Sequence, residues 1–110
     1  MRFVVRDLQN GPHRLAIRAS DKAGNIARAA DWAGKHGVRV TCNEFGVYRK
    51  VAPTEARLRW IRDVRTALEK HHIGWAMWDY AGGFSVVVQE GGRRVPDPAT
   101  LESLGLKSAE

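Results

Sequence analysis

Three segments, in the order strand, helix, strand, decide the fold class of this 110-residue chain. Residues 38–45 read VRVTCNEF and residues 73–78 read IGWAMW, and each predicts a strand. Between them, residues 54–71 read TEARLRWIRDVRTALEKH, a helical pattern. Its expected apolar face comprises Trp60, Ile61, Val64, Ala67 and Leu68, and its expected polar face Arg59, Arg62, Asp63, Thr66 and Lys70. This order predicts an α/β fold with parallel strands joined by a right-handed crossover.

The residues before this unit predict a β-hairpin and a helix. Residues 2–8 and 14–19 are expected to be strands, with a turn at Asn10-Gly11-Pro12. Ser20 or Asp21 can cap a helix that runs to about His36, and Gly37 can end it in a left-handed conformation. The apolar side of this helix is expected to comprise Ala23, Ile26, Ala27, Ala30 and Ala33.

The residues after the central unit predict shorter elements. Phe84 to Gln89 is expected to be extended, and Gly91-Gly92 is expected to turn the chain. Asp97 or Pro98 can open a last short helix that reaches Leu104.

Composition narrows the function classes. The formal charge is +6, but the arginines are dispersed, so a solvated basic surface is favoured over a nucleic-acid site. One cysteine, Cys42, permits no intrachain disulfide, and the four histidines show no zinc-ligand spacing. His71 and His72 are expected to end a helix. No signal peptide or membrane-spanning run is visible, so we expect no membrane partner, and the compartment stays undetermined. We also expect no metal and no cofactor.

Glu44 is the strongest candidate for chemistry. It lies near the carboxyl end of a predicted strand, where functional groups collect in parallel α/β folds. Simple alternation places it on one face with Val38, Val40 and Cys42, and Gly46 permits a sharp exit from the strand. A carboxylate at this position can be a nucleophile, a base or a structural hydrogen-bond acceptor.

Trp78 ends the next predicted strand. Alternation places it with Gly74 and Ala76, whereas Trp75 and Met77 face the other side and are expected in the core. An exposed indole beside a site can stack on a sugar ring. Asp79 can hydrogen-bond a hydroxyl or cap the turn before Gly82-Gly83, and the turn role is favoured.

Three motifs in register resemble the end of glycoside hydrolase family 5, the cellulase-like family. They read CNEFGVYR at residues 42–49, RWIRDVR at residues 59–65 and IGWAMWDY at residues 73–80, followed by Gly83-Phe84. The resemblance covers residues 26–106. It implies the seventh strand, seventh helix and eighth strand of a (β/α)8 TIM barrel. It also implies that Glu44 is the nucleophile of a retaining glycosidase, that Trp78 binds the sugar substrate, and that the substrate is a β-glucan or mannan.

The chain also departs from that family. Asn43 stands where the family usually has Gly, and no motif matches the fourth-strand Asn-Glu pair that carries the acid/base Glu. A complete barrel needs about 250 residues, so we expect a fragment that is inactive or nearly so alone. Residues 11–25 resemble strands of bacterial immunoglobulin-like domains, which predicts a division into 1–25 and 26–110. The alternative is a non-catalytic α/β module that self-associates through strand edges or binds carbohydrate.

Overall fold

The computed structural model describes residues 2–7, 11–16 and 22–107. The chain forms two compact units. One contains Met1–Phe45 and Thr66–Ala76, and the other contains Gly46–Arg65 and Met77–Glu110. The two predicted site residues belong to different units, Glu44 to the first and Trp78 to the second. The predicted division at residue 25 stays a prediction.

The predicted hairpin at the start of the chain is present, with a shifted second strand. β1 (Arg2–Asp7) pairs antiparallel with β2 (Gly11–Ala16), with Arg2 opposite Ala16 and Asp7 opposite Gly11. The placement of Gly11 and Pro12 in the turn was therefore wrong, since both lie in β2. Asn10 and the predicted strand residues 17–19 lie outside the described residues.

The helix α1 (Lys22–His36) follows, and its end agrees with the prediction. Gly37 has φ 64°, and the amide of Val38 donates to the carbonyl of Ala33 at 3.1 Å, as in a Schellman cap. The predicted core face was partly wrong. The buried residues are Asn25, Ile26 and Ala29, whereas Ala23 is exposed.

The central strand, helix and strand are present as predicted. They are β3 (Arg39–Phe45), α2 (Thr54–Lys70) and β4 (Gly74–Met77). The described strands form a four-stranded sheet in the order β2-β1-β3-β4. β1 is antiparallel to β3, with Val5 opposite Val40. An antiparallel neighbour differs from the all-parallel sheet of a (β/α)8 barrel, so at β1 the sheet departs from the arrangement that the resemblance implies.

The apolar face predicted for α2 is fully buried at three of its five residues. Ile61, Val64 and Leu68 are fully buried, whereas Trp60 and Ala67 are half-buried. The predicted polar face is exposed throughout. Fully burying such an aliphatic side chain stabilises the fold by roughly 1.5–3 kcal/mol. Arg57 also lies within this helix and is only 2% exposed, which the sequence pattern did not predict.

The second unit ends in a hairpin and a short helix. β5 (Val87–Glu90) pairs antiparallel with β6 (Arg93–Pro96), a strand that the sequence did not predict. The predicted turn lies between them, and Gly91 and Gly92 both have positive φ, as a two-residue primed turn requires. α3 (Pro98–Ser103) begins after the N-cap Asp97, as predicted. None of the helices in residues 22–107 is long and apolar enough to cross a membrane.

Candidate functional site

Glu44 is the sixth residue of β3 and is half-buried. Its neighbours Cys42 and Phe45 are almost completely buried, at 0% and 1% exposure. The thiol of Cys42 lies 3.7 Å from the backbone carbonyl oxygen of Glu44, close enough for a weak S–H hydrogen bond. Glu44 thus belongs to a strand end at which the side chains of Cys42 and Phe45 are buried.

A register shift beside Glu44 interrupts the simple alternation of β3. Arg2 of β1 is opposite Glu44 and Phe3 is opposite Cys42, so Asn43 is the extra residue of a β-bulge. Phe45, and not Glu44, is the next fully buried side chain after Cys42. The predicted common face of Glu44 with Val40 and Cys42 is therefore interrupted. Bulges re-aim side chains in this way and occur often beside active sites.

Aromatic packing anchors the strand end behind Glu44. The rings of Phe45 and Trp75 meet edge to face, with their centroids 5.6 Å apart. The indole N–H of Trp75 donates to Oε1 of Glu69 on α2 at 3.3 Å. Trp75 is half-buried, which agrees with its predicted packing role.

Trp78, the second predicted site residue, follows β4 and is 51% exposed. Its backbone is held closely, because a Cβ atom added to Gly46 would clash with the carbonyl oxygen of Trp78. The same added atom would lie 3.4 Å from the ring of Phe84. The peptide bond between Trp78 and Asp79 is cis. The indole is therefore open to solvent, while the carbonyl oxygen of Trp78 lies against Gly46.

Asp79 has the turn role that the sequence predicted. Its Oδ1 accepts a hydrogen bond from the amide of Gly82 at 3.0 Å. A Cβ atom at Gly82 would meet the same carboxylate, so the absence of a side chain there permits the turn. Tyr80, the next residue, is 62% exposed.

A partly buried polar cluster, which the sequence pattern did not predict, holds the loops of the second unit. Arg49 donates through Nη2 to Oδ2 of Asp97 at 2.5 Å and to the carbonyl of Ser85 at 2.7 Å. Burial alone would raise the pKa of Asp97, but hydrogen bonds from Thr100 and Arg49 and the positive charge of Arg49 outweigh it and lower that pKa. The carboxylate is accordingly held in its charged form.

Arg57 completes this cluster from α2. Its Nη1 donates to Oγ1 of Thr100 at 2.8 Å, and its other nitrogens donate to the backbone carbonyls of Val47, Phe84 and Ser85. Burial lowers the pKa of Arg57, the charge of Arg49 lowers it further, and Asp97 opposes both. The helical period shows on which side of α2 this residue lies, but not that a charged side chain is buried there. Arg57 lies four positions before Ile61, on the stripe that continues through Val64 and Leu68.

A cavity of the first unit lies at the start of β3. Its volume is about 400 Å³, and it is bordered by the start of β3 at Arg39 and by the α2–β4 turn at His71 and His72. His71 follows the end of α2, as predicted, and His72 has φ 55°. Within residues 22–107, whose side chains are described, no group of three or more His, Cys, Asp and Glu residues could hold a metal ion.

Comparison with known proteins shows that this chain is similar to endoglucanases. The chain is 36% identical over 62 residues to Endoglucanase 3 of Fibrobacter succinogenes, and over 56 residues to Endoglucanase C of Acetivibrio thermocellus. These regions are 56% and 51% of this chain. The chain spans only 9% and 16% of the length of those relatives. No protein-family model matches it.

Solved structures of endoglucanases are similar to this chain in fold. Thermotoga maritima Cel5A, crystallised in mutant form with cellobiose, superposes with a TM-score of 0.69 at 28% sequence identity. The superposition covers 82% of this chain and 29% of Cel5A. The chain thus has the α/β fold of part of an endoglucanase.

Proposed function

We propose that this chain is the part of a retaining glycoside hydrolase that carries the nucleophile, Glu44, and a sugar-stacking tryptophan, Trp78. The observation that carries the proposal is the 36% identity to endoglucanases, together with the fold shared with Cel5A. The resemblance of the three sequence motifs to family 5 supports the same residues and a parent (β/α)8 barrel. Thermotoga maritima Cel5A has been crystallised with cellobiose and with mannotriose, which supports a β-linked glucan or mannan as the substrate.

The proposed chemistry requires two carboxyl groups. Glu44 attacks the anomeric carbon, the bond to the leaving oxygen breaks, and a second carboxyl group about 5–5.5 Å away protonates that oxygen. No motif of this chain matches the family's acid/base residue. General acid–base assistance contributes roughly 10²–10⁴-fold, so we expect the isolated chain to hydrolyse polysaccharide extremely slowly.

An activated glycoside tests Glu44 without the missing acid. A 2-deoxy-2-fluoro-β-cellobioside with a dinitrophenolate leaving group needs no protonation at its leaving oxygen. We expect attack by the carboxylate to release dinitrophenolate and to leave a covalent glycosyl ester on Glu44, detected by mass spectrometry of the intact chain and of its peptides.

Two variants sharpen this experiment. Glu44→Gln is expected to abolish the adduct, whereas Glu90→Gln, which changes an exposed glutamate of β5, is expected to leave it unchanged. An adduct on another carboxylate, or none on Glu44 in a folded chain, would contradict the nucleophile assignment.

A non-catalytic carbohydrate-binding role is the second candidate, and the exposure of Trp78 favours it. An indole that is 51% exposed beside Tyr80 at 62% can stack on the apolar face of a sugar ring. Under this alternative, cellohexaose binds equally well to the wild-type chain and to Glu44→Gln, and binding is lost in Trp78→Ala. Adduct formation on Glu44 would decide for the hydrolase.

Self-association stays a prediction. It depends on exposed strand edges, and the two edges of the described sheet are β2 and β4.

A further inference from the structure

Two loops of the second unit are joined by direct backbone contact. The first, residues 46–53, connects β3 to α2, and the second, residues 78–86, connects β4 to β5. The amide of Arg49 donates to the carbonyl of Gly83 at 2.9 Å. The ring of Tyr48 packs on Phe84 with centroids 5.4 Å apart. Gly46 lies against the carbonyl oxygen of Trp78, so the place of the first loop determines where the Trp78 backbone can lie.

The guanidinium of Arg57 bridges the same two loops from the first turn of α2. Its Nε donates to the carbonyl of Val47 in the first loop at 3.2 Å. Its Nη2 donates to the carbonyls of Phe84 and Ser85 in the second loop at 2.9 and 3.1 Å. Arg57 is 2% exposed, so water cannot replace these donors without opening the loops.

Only arginine supplies this set of donors. The planar guanidinium presents five N–H groups in a fixed fork, whereas a lysine ammonium is a compact charge with three donors. The four acceptors of Arg57 are three backbone carbonyls and the hydroxyl of Thr100, and none is a carboxylate. Arg57 therefore joins the two loops through the geometry of its fork, and not through a charge pair with a carboxylate.

We propose that Arg57 is a positioning residue for Trp78: its buried guanidinium clamps the loops 46–53 and 78–86 together and thereby fixes the backbone from which the indole projects. The link between the loops follows from the hydrogen bonds of Arg57 to Val47, Phe84 and Ser85. Its consequence for sugar binding rests on the proposed function, in which Trp78 stacks on the substrate.

The test compares Arg57→Lys and Arg57→Met with Arg59→Lys, which changes an exposed arginine of the same helix. In the full chain, amide hydrogen exchange is followed at Arg49, whose N–H donates to Gly83 across the two loops, and at Val86, whose N–H donates to Asp79 and Tyr80 within the second loop. NMR follows the indole N–H resonance of Trp78, assigned with Trp78→Phe. We expect both Arg57 variants to raise exchange at these amides about tenfold or more, because buried carbonyls lose their donors. We also expect the Trp78 resonance to shift, and Arg59→Lys to match the wild type.

Other amides separate positioning from general destabilisation. The N–H groups of Val38 and Ile73 are bonded within the first unit, to Ala33 and Leu68, and are expected to keep their wild-type exchange rates. Equal loss of protection at these amides, or unfolding of both Arg57 variants, would overturn the proposal in favour of a general structural role. Unchanged loop exchange and an unmoved Trp78 resonance in folded Arg57→Lys would also overturn it.

Cellohexaose titration tests whether the loop contacts of Arg57 affect sugar binding. We expect Arg57→Lys to weaken binding about tenfold and Arg59→Lys to leave it unchanged. Failure of the wild-type chain to bind would contradict the proposed function, and exchange and the Trp78 resonance would still decide the role of Arg57.

Discussion

The strand end that carries Glu44 and the loops that carry Trp78 are held by opposite kinds of interaction. Phe45, next to Glu44, is 1% exposed and packs on the ring of Trp75. Arg57, which holds the loops beside Trp78, is 2% exposed and makes hydrogen bonds only to polar oxygens. Apolar burial is strong and non-directional, whereas a buried guanidinium is costly unless every donor is placed. The strand end therefore gains stability from burial, and the loops gain position from directed hydrogen bonds.

Removing the aromatic anchor is expected to have the largest effect. Phe45→Ala deletes a buried ring and leaves a cavity, so we expect a loss of about 3–5 kcal/mol in the free energy of unfolding. Urea unfolding followed by circular dichroism measures it. Val51→Ala, at a side chain that is 78% exposed, is the control and is expected to change this free energy by less than about 0.5 kcal/mol. A loss below about 1 kcal/mol for Phe45→Ala would show that apolar packing does not hold this strand end.

Adding one methyl group at Gly46 is expected to have the second-largest effect on stability. Its Cβ would clash with the carbonyl oxygen of Trp78, so the two loops must separate, at a loss of about 1–3 kcal/mol. Gly34→Ala is the matched control, because Gly34 is exposed within α1 and a Cβ there meets nothing within 4 Å. That change is expected to stabilise the chain by about 0.5–1 kcal/mol. Equal effects at both glycines would contradict close contact at Trp78.

Neutralising Asp97 is expected to have the smallest effect at neutral pH, about 1–2 kcal/mol for Asp97→Asn, because the acceptor remains while its charge is lost. Asp31→Asn, at an exposed position of α1, is the control. The folded-state pKa of Asp97 is lowered, so its contribution is complete above the unfolded pKa of about 3.9. It is lost as the pH falls through the lower folded value.

The stability difference between the wild type and Asp97→Asn is therefore expected to shrink as the pH falls below about 4. Urea unfolding at a series of pH values measures it. A difference that stays constant down to the acid limit of folding would show that the charge of Asp97 contributes nothing.

The chain sequence predicted the elements whose signals are local. The stripe Ile61, Val64 and Leu68 identified the buried face of α2, and Gly37 marked the end of α1. The bulge at Asn43 was not predictable in this way, because it arises from pairing with β1, a strand distant in the sequence. β6 was missed for a similar reason. Its polar residues Arg93 and Arg94 show no strand pattern, and only pairing with β5 makes them extended. The roles of Glu44 and Trp78 remain proposals.

The sequence by itself determined the strand–helix–strand order, the left-handed turns at Gly37 and Gly91-Gly92, and the N-cap at Asp97, because each depends on residues within one turn or one period of the chain. Tertiary structure alone decided that Arg57 is buried. Its partners at Val47, Phe84 and Thr100 lie 10 to 43 positions away, and no local preference places a charge inside a helix core. A buried charge is stable only where distant oxygens converge on it, and that convergence exists only in the folded chain.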